Sequence, residues 1–452
     1  MRPTQAVPDA ADGRLPFWRD ALGTRRRRIA TFFLLYVAEG IPLGFAGGLI
    51  ATQMRRQGMD PEVIGAFVAA LYLPWAFKWA FGPLIDTLGW RRFGRRRSWI
   101  VGMQVGMIAT LLVAMQVDFV NAVGVFTALI VVHNVFAAAQ DVAIDALAVQ
   151  VLQADERGAA TGFMFAGQGV GQAIGGSAML LALSVVPLQT TFVLVAAMLA
   201  LITLLVCVAL REPADAASPW QAERAAVTAV RRIVQDLRAF TREAARAFVA
   251  SRAARLGVLL ALLPLGAYSL SLSLGSNLAV ELGLSDAQIG TLSLAASALS
   301  AAGCIVGGYL SDRFGRRSVL AAAIVMTALP TLALAWQMQS AGHVMPVDAA
   351  PSAPDARLLA GFVAASLVYA LVQGCSYGAS TALYMDITTP AVAATQFTAY
   401  MALSNLATST TSFWQGHALS RVGYPNTLLL DVLIGMTPLL LLPWMAARRR
   451  KS

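Results

Sequence analysis

The sequence predicts an all-α integral membrane protein: twelve transmembrane helices in two pseudo-symmetric six-helix halves. Three observations carry that expectation. The 452 residues are 58% hydrophobic and only 13% charged, whereas a soluble domain carries roughly a quarter charged residues. Twelve apolar runs approach the roughly 20 residues that cross a bilayer, six on each side of a polar interval. A basic hairpin at residues 82–97, GPLIDTLGWRRFGRRR, returns in shorter form at 307–317, GGYLSDRFGRR.

A polar tail, 1–28, ends in four arginines immediately before the first apolar run. The tail imitates a secretory signal, but the run behind it is too long, contains Glu39 and lacks a small-residue cleavage site. It reads as a retained helix. Helices are expected near 29–50, 62–84, 98–117, 121–149, 159–183 and 189–210, an N-terminal bundle over 29–210. A second bundle over 256–446 follows, with helices near 256–281, 287–310, 318–338, 357–384, 396–418 and 425–446, then a short tail, 447–452. Between the bundles, 211–255 sets Val227, Val230, Val234 and Leu237 at helical spacing among arginines. That is the pattern of an amphipathic helix lying on a membrane surface.

Arginines crowd the first tail, both hairpins, the linker and the last tail, while the opposite loops hold few. The bias predicts cytoplasmic termini. It also accounts for the net charge of +10 without a nucleic-acid partner. Cys207, Cys304 and Cys375 are far apart in apolar surroundings and suggest neither a disulfide nor a metal.

Each hairpin has a structural reading. An Asp at one helix end accepts hydrogen bonds from a neighbouring helix start, and arginines hold helix carboxyl ends or anionic lipid. Asp86, Arg95, Arg96, Asp312, Arg316 and Arg317 are therefore candidates for a scaffold or conformational latch. Charges within apolar runs point elsewhere, because burying them is costly and they face a cavity or a partner. Glu39 lies about 15 Å into the first helix at 1.5 Å per residue, in the run Tyr36-Val-Ala-Glu-Gly-Ile-Pro. A carboxyl there is suited to picking up and releasing a proton, with Tyr36 beside it as a substrate contact. Lys78 is one of only two lysines and the one within an apolar run. It either snorkels to the surface or meets an inward carboxylate or an anionic substrate. Asp141 and Asp145 share a face of the fourth helix, so they meet Lys78 or hairpin arginines, or share a proton. Asp141 is the second coupling candidate and Asp145 a latch candidate. His133 and Gln140 on that helix are candidate contacts, as are Gln168, Gln172, Asn277, Gln373, Tyr377 and Asn405 elsewhere. Such neutral polar groups suit a bulky polar solute or simply join helices.

No phosphate-binding glycine loop, nucleophile elbow or His-rich pattern is present in the sequence, so neither an enzyme nor a metal or other cofactor is expected. The paired hairpins resemble those of the major facilitator superfamily over nearly the whole chain. LPWAFKWAFGPLID (73–86), FGRRRSW (93–99), AAQDVAIDALA (138–148), ERGAATGF (156–163) and AATQFTAYMALSNL (393–406) are similar to the peptide/acetyl-coenzyme A transporter family, which includes the AmpG-type muropeptide permeases. The resemblance implies a monomeric, proton-driven importer in a bacterial inner membrane, with Lys78, Gln140, Asp141 and Asp145 on family motifs. Muropeptides are the implied substrates, and siderophores those of sister branches. The sequence departs from the muropeptide permeases at EGIP (39–42) and in having twelve expected helices rather than more. A transporter-like sensor that moves nothing is the rival from another class.

Overall fold

The computed structural model describes residues 20–87, 93–153, 156–212, 252–347, 355–387 and 393–445, with scattered positions from 234 to 246. Most of the 211–255 linker and both tails lie outside the described residues. Among the described residues nine helices are long and apolar enough to cross a membrane. The remaining expected spans are present but interrupted, each at a position where small residues permit it.

Helix α1 runs Arg25–Arg56 and α2 Pro61–Ala80, continued by Phe81–Thr87. Then come α3 (Arg95–Ala114), α4 (Val123–Val151) and α6 (Leu188–Ala209). Between α4 and α6, α5 is Arg157–Gln172, widened by a π-turn over Ala173–Ala178 and ended by Met179–Ala182. The second half begins with a broken helix, α7, in two pieces, Arg252–Ala261 and Ser273–Glu281. Next are α8 (Asp286–Phe314), α9 (Arg316–Ala341) and α10 (Ala356–Ile387). The last two spans form one continuous assignment, Ala393–Gly435, with a non-helical corner at Gly423, φ 76°. We call the parts before and after that corner α11 and α12.

Without a hydrophobic drive between helices in lipid, close packing requires small residues at the crossings. The α1–α5 crossing supplies them. A Cβ on Gly40 would stand 2.1 Å from the Gln168 carbonyl oxygen, and one on Gly171 would stand 2.3 Å from that of Val37. In the other half, Gly303 and Gly307 of α8 are pressed in the same way against Leu371 and Cys375 of α10.

The break in α7 is satisfied from a distance. Gly266 takes φ 110°, and the freed N–H groups of Tyr268 and Ser269 donate to Asp431 of α12 at 2.8 and 2.9 Å. Gln415 completes the set at 2.7 Å. Backbone that leaves a helix inside a membrane needs such protein partners.

At the hairpin face, Arg28 of α1 grips Glu156 through two nitrogens, at 3.0 and 2.5 Å, both side chains nearly fully buried. The Arg28 hydrogen bonds hold the Glu156 carboxyl below its ordinary range.

Two predictions follow from this packing. Gly171→Ala pushes a Cβ into backbone and is expected to cost about 2 kcal/mol, seen as a lower thermal midpoint in detergent. Gly308→Ala meets nothing within 4 Å and should leave that midpoint unchanged. Arg28→Ala strands a buried carboxylate and should cost about 3 kcal/mol. Because the folded Glu156 value is depressed, the pair's contribution is complete above the unfolded value of about 4.3. It is lost as pH falls through the folded value, so wild type and Arg28→Ala should converge only in acid.

Candidate functional site

The two halves meet on the face away from the hairpins, called the outer face below. There α2 and α11 cross at Gly65 and Gly416, so close that a Cβ on Gly65 would lie 2.7 Å from the Ser412 carbonyl oxygen. The Ser409 and Ser412 hydroxyls donate across the crossing to the carbonyls of Ala69 and Gly65. On the other flank, Gly290 of α8 sits against Ser177 of α5.

Ion pairs complete the closure. Arg55 at the end of α1 pairs with Glu281 at the end of α7, at 2.8 Å and almost without exposure. The same guanidinium donates to the carbonyls of Met59 and Val347. Glu281 also accepts from the Tyr424 hydroxyl at 2.7 Å and from Val347 N–H at 3.1 Å. Arg56 pairs with Asp286 at 2.8 Å and donates to the Leu284 carbonyl. Toward the hairpins, Phe163 of α5 and Tyr309 of α8 are exposed, and the rings of Phe165 and Tyr377, one from each half, lie 6.5 Å apart.

Midway along the N-terminal half the polar side chains converge. Lys78 sits where α2 tightens into a short 3-10 turn behind Pro74, and its Nζ donates to Asp141 Oδ2 at 2.9 Å. The Tyr36 hydroxyl donates to Asp145 at 2.7 Å. Gln168 donates to Glu39 Oε1 at 2.6 Å, leaving Oε2 buried and unpartnered. Helical spacing sets this up: Tyr36 and Glu39 lie on one face of α1, Asp141 and Asp145 on one face of α4. The cluster holds three carboxyls against one ammonium.

The remaining candidates divide. Tyr377 of α10 is 40% exposed and lies within electrostatic reach of Lys78 and Glu39. Gln373, one turn earlier, has a buried, unpartnered Oε1. Gln172 and Asn405 are half-buried. Gln140 and Asn277 are fully buried with no partner for either amide atom. Asn277 shares a stripe of α7 with Ser273, which meets Ser412 of its own half, and with Glu281, which pairs with Arg55 of the opposite half.

Two expectations need correction. His133 does not join the cluster: its Nδ1 lies 3.1 Å from the Met107 carbonyl and 3.0 Å from the Thr110 hydroxyl, so the ring is packed on α3. Asp145 meets the Tyr36 phenol instead of a hairpin arginine.

At the first hairpin, Glu212 accepts from the backbone N–H of Arg96 and Arg97 at the start of α3 and pairs with the Arg96 side chain at 3.2 Å. Arg95 opens α3, while the Asp86 side chain lies outside the described residues. At the second hairpin, Arg316 pairs with Asp386 at 2.6 Å, lies 3.6 Å from Asp312, and holds the Ala382 carbonyl near the end of α10. Arg317 is half-buried beside it.

Asp431, Glu281 and Arg55 were missed. Asp431 and Glu281 are carboxylates in or at the end of apolar runs, the same signal that singles out Glu39.

A sequence profile described as Major Facilitator Superfamily matches residues 30–274 and 256–452. The anhydromuropeptide permease of Escherichia coli (strain K12) is 31% identical over 173 residues, 38% of this chain and 35% of that protein. An uncharacterized protein of Haemophilus influenzae is 26% identical over 154 residues, 34% of this chain and 36% of that one. The chain thus spans about a third of the length of these curated relatives. Among solved structures, a D-xylose-proton symporter superposes with TM-score 0.69 at 13% identity, over 93% of this chain and 99% of that one. A POT family transporter in complex with a thioalcohol conjugated peptide gives 0.69 at 11% identity, over 94% and 98%. At such identities the likeness is one of fold. The profile, however, matches both halves nearly end to end, and the chain belongs to the major facilitator superfamily.

Proposed function

We propose that the chain is a proton-coupled importer working by alternating access, with a muropeptide or related peptide conjugate as its substrate. The observation that carries the coupling is the central cluster, in which Glu39, Asp141 and Asp145 share a single lysine. One ammonium neutralises one carboxylate, so the others require hydrogen bonds or a proton. Glu39 has the least provision, one amide donor and one bare oxygen, and it is the residue we assign to carry the proton. Asp141, already paired with Lys78, is the second. A proton gained at Glu39 removes a charge beside the Lys78–Asp141 pair and changes which groups that pair must answer to.

The substrate assignment rests on the partial likeness to the anhydromuropeptide permease and on polar side chains of both halves. Tyr377, Gln373 and Asn405 of the C-terminal half offer neutral hydrogen-bonding groups, as does Gln172 of the N-terminal half, which carries the charged cluster. We place the protein in the cytoplasmic membrane of a bacterium, hairpins and termini inward, because the arginines gather on that side. The closed face, with its Arg55–Glu281 and Arg56–Asp286 pairs, is then the outward one.

Uptake into proteoliposomes under an imposed inward proton gradient tests this reading. A labelled anhydro-muropeptide should accumulate, and Glu39→Gln should reduce accumulation at least about tenfold, a loss of about 1.4 kcal/mol of drive, while exchange without a gradient persists. Lys78→Met strands Asp141 and should abolish both. Accumulation of a ferric siderophore instead would move the substrate assignment, and uptake indifferent to Glu39→Gln would remove the coupling assignment.

A further inference from the structure

The chain has three histidines. His133 is packed inside the N-terminal half, and the other two lie at the outer face, each against a carboxylate. Their settings differ. His343 Nε2 lies 3.4 Å from Glu281, a carboxylate of its own half that already answers Arg55 from the opposite half. A proton on His343 would attract Glu281 and oppose Arg55 together. His417 has no such conflict. It stands on α11, in the C-terminal half, with Nδ1 2.7 Å from Oε1 of Glu62 in the first turn of α2, in the N-terminal half.

The geometry around His417 is that of a joint between halves. Gly416, the residue before it, is wedged so that a Cβ would lie 2.6 Å from the Pro61 carbonyl. The Phe413 ring stacks on the imidazole at 6.1 Å and 14°, fixing its plane. The His417 Nδ1 is buried, and no aligned hydrogen bond reaches it. A neutral imidazole gains little from a carboxylate at this distance, whereas a proton on the ring makes the two attract as an ion pair. With side chains 33% and 46% exposed, the pair remains within reach of protons from the outer solution. The other charged groups on these two helix ends are Asp60, just before α2, and Arg421, one turn further along α11.

We propose that His417 and Glu62 form a proton-operated clasp between the halves, in which protonation of His417 holds the outer face shut. Histidine is the side chain whose ordinary change of charge falls between pH 5 and 8. The sign suits an importer: acid on the outer side favours closing that side, which is the step that commits a loaded carrier inward. The clasp itself needs neither the substrate assignment nor Glu39.

The test is the distance between spin labels at Gln57→Cys and Ser340→Cys, exposed positions in opposite halves at the outer face, with Cys207, Cys304 and Cys375 changed to serine. The full chain is held in nanodiscs without substrate. From about pH 8 to about pH 5.5 the ratio of closed to open should rise roughly threefold, the size of one partly exposed ion pair. His417→Gln and Glu62→Gln should each flatten that response, His417→Lys should keep the face closed at both pH values, and His343→Gln should retain the response. A response that survives both His417→Gln and Glu62→Gln overturns the proposal, as does opening on acidification. So does a response removed by Glu39→Gln but kept by His417→Gln, which would assign it to the central carboxyls.

Discussion

Inside a bilayer no water is available to answer a charge or an open backbone group, and each one that is buried must find its partner in protein. Much of this architecture follows from that constraint. Asp431 sits in the last span because the break in α7 frees the N–H groups of Tyr268 and Ser269. Lys78 and Asp141 are drawn together from α2 and α4. Glycines line the α1–α5 crossing, where Gln168 reaches Glu39, and the α8–α10 crossing. A larger residue there would separate the partners, and the polar groups would lose one another before any core residue was disturbed.

The same constraint distinguishes the two faces. The outer closure is made of pairs at the ends of helices, Arg55 with Glu281 and Arg56 with Asp286, where opening returns the charges to water. A buried ion pair gains little net free energy over its hydrated partners, so such a closure can be firm in geometry and still reversible. A carrier that visits two states needs them close in free energy, and a closure built from exchangeable polar contacts meets that need better than an apolar seam. Other contacts, Arg28 with Glu156 among them, stay within one half.

Much of this was legible along the chain. Lipid-length apolar runs mark the spans, the repeated hairpin marks the two halves, and a charge inside an apolar run marks the cluster, since nothing but a cavity or a partner makes it tolerable. Glu39, Lys78 and Asp141 are found in that way. Their partners are not, because pairing is a matter of which faces meet. Gln168 lies 129 positions from Glu39, and Glu281 lies 226 positions from Arg55. No periodicity within one helix encodes a meeting with another. His133 shows the reverse error: a titratable group on the right helix, two turns along it from Asp141 and packed against α3.

The sequence by itself determined the membrane class, the order and lengths of the spans, the duplication and the inventory of buried charge, since those depend on local hydropathy and covalent order. Where α5 and α7 are interrupted, which carboxyl answers Lys78, which face is closed and which histidine bridges the halves were decided only by tertiary structure. Each depends on the rotation and crossing of helices far apart in the chain, and those are set by how glycines, prolines and paired charges pack once all the spans are present.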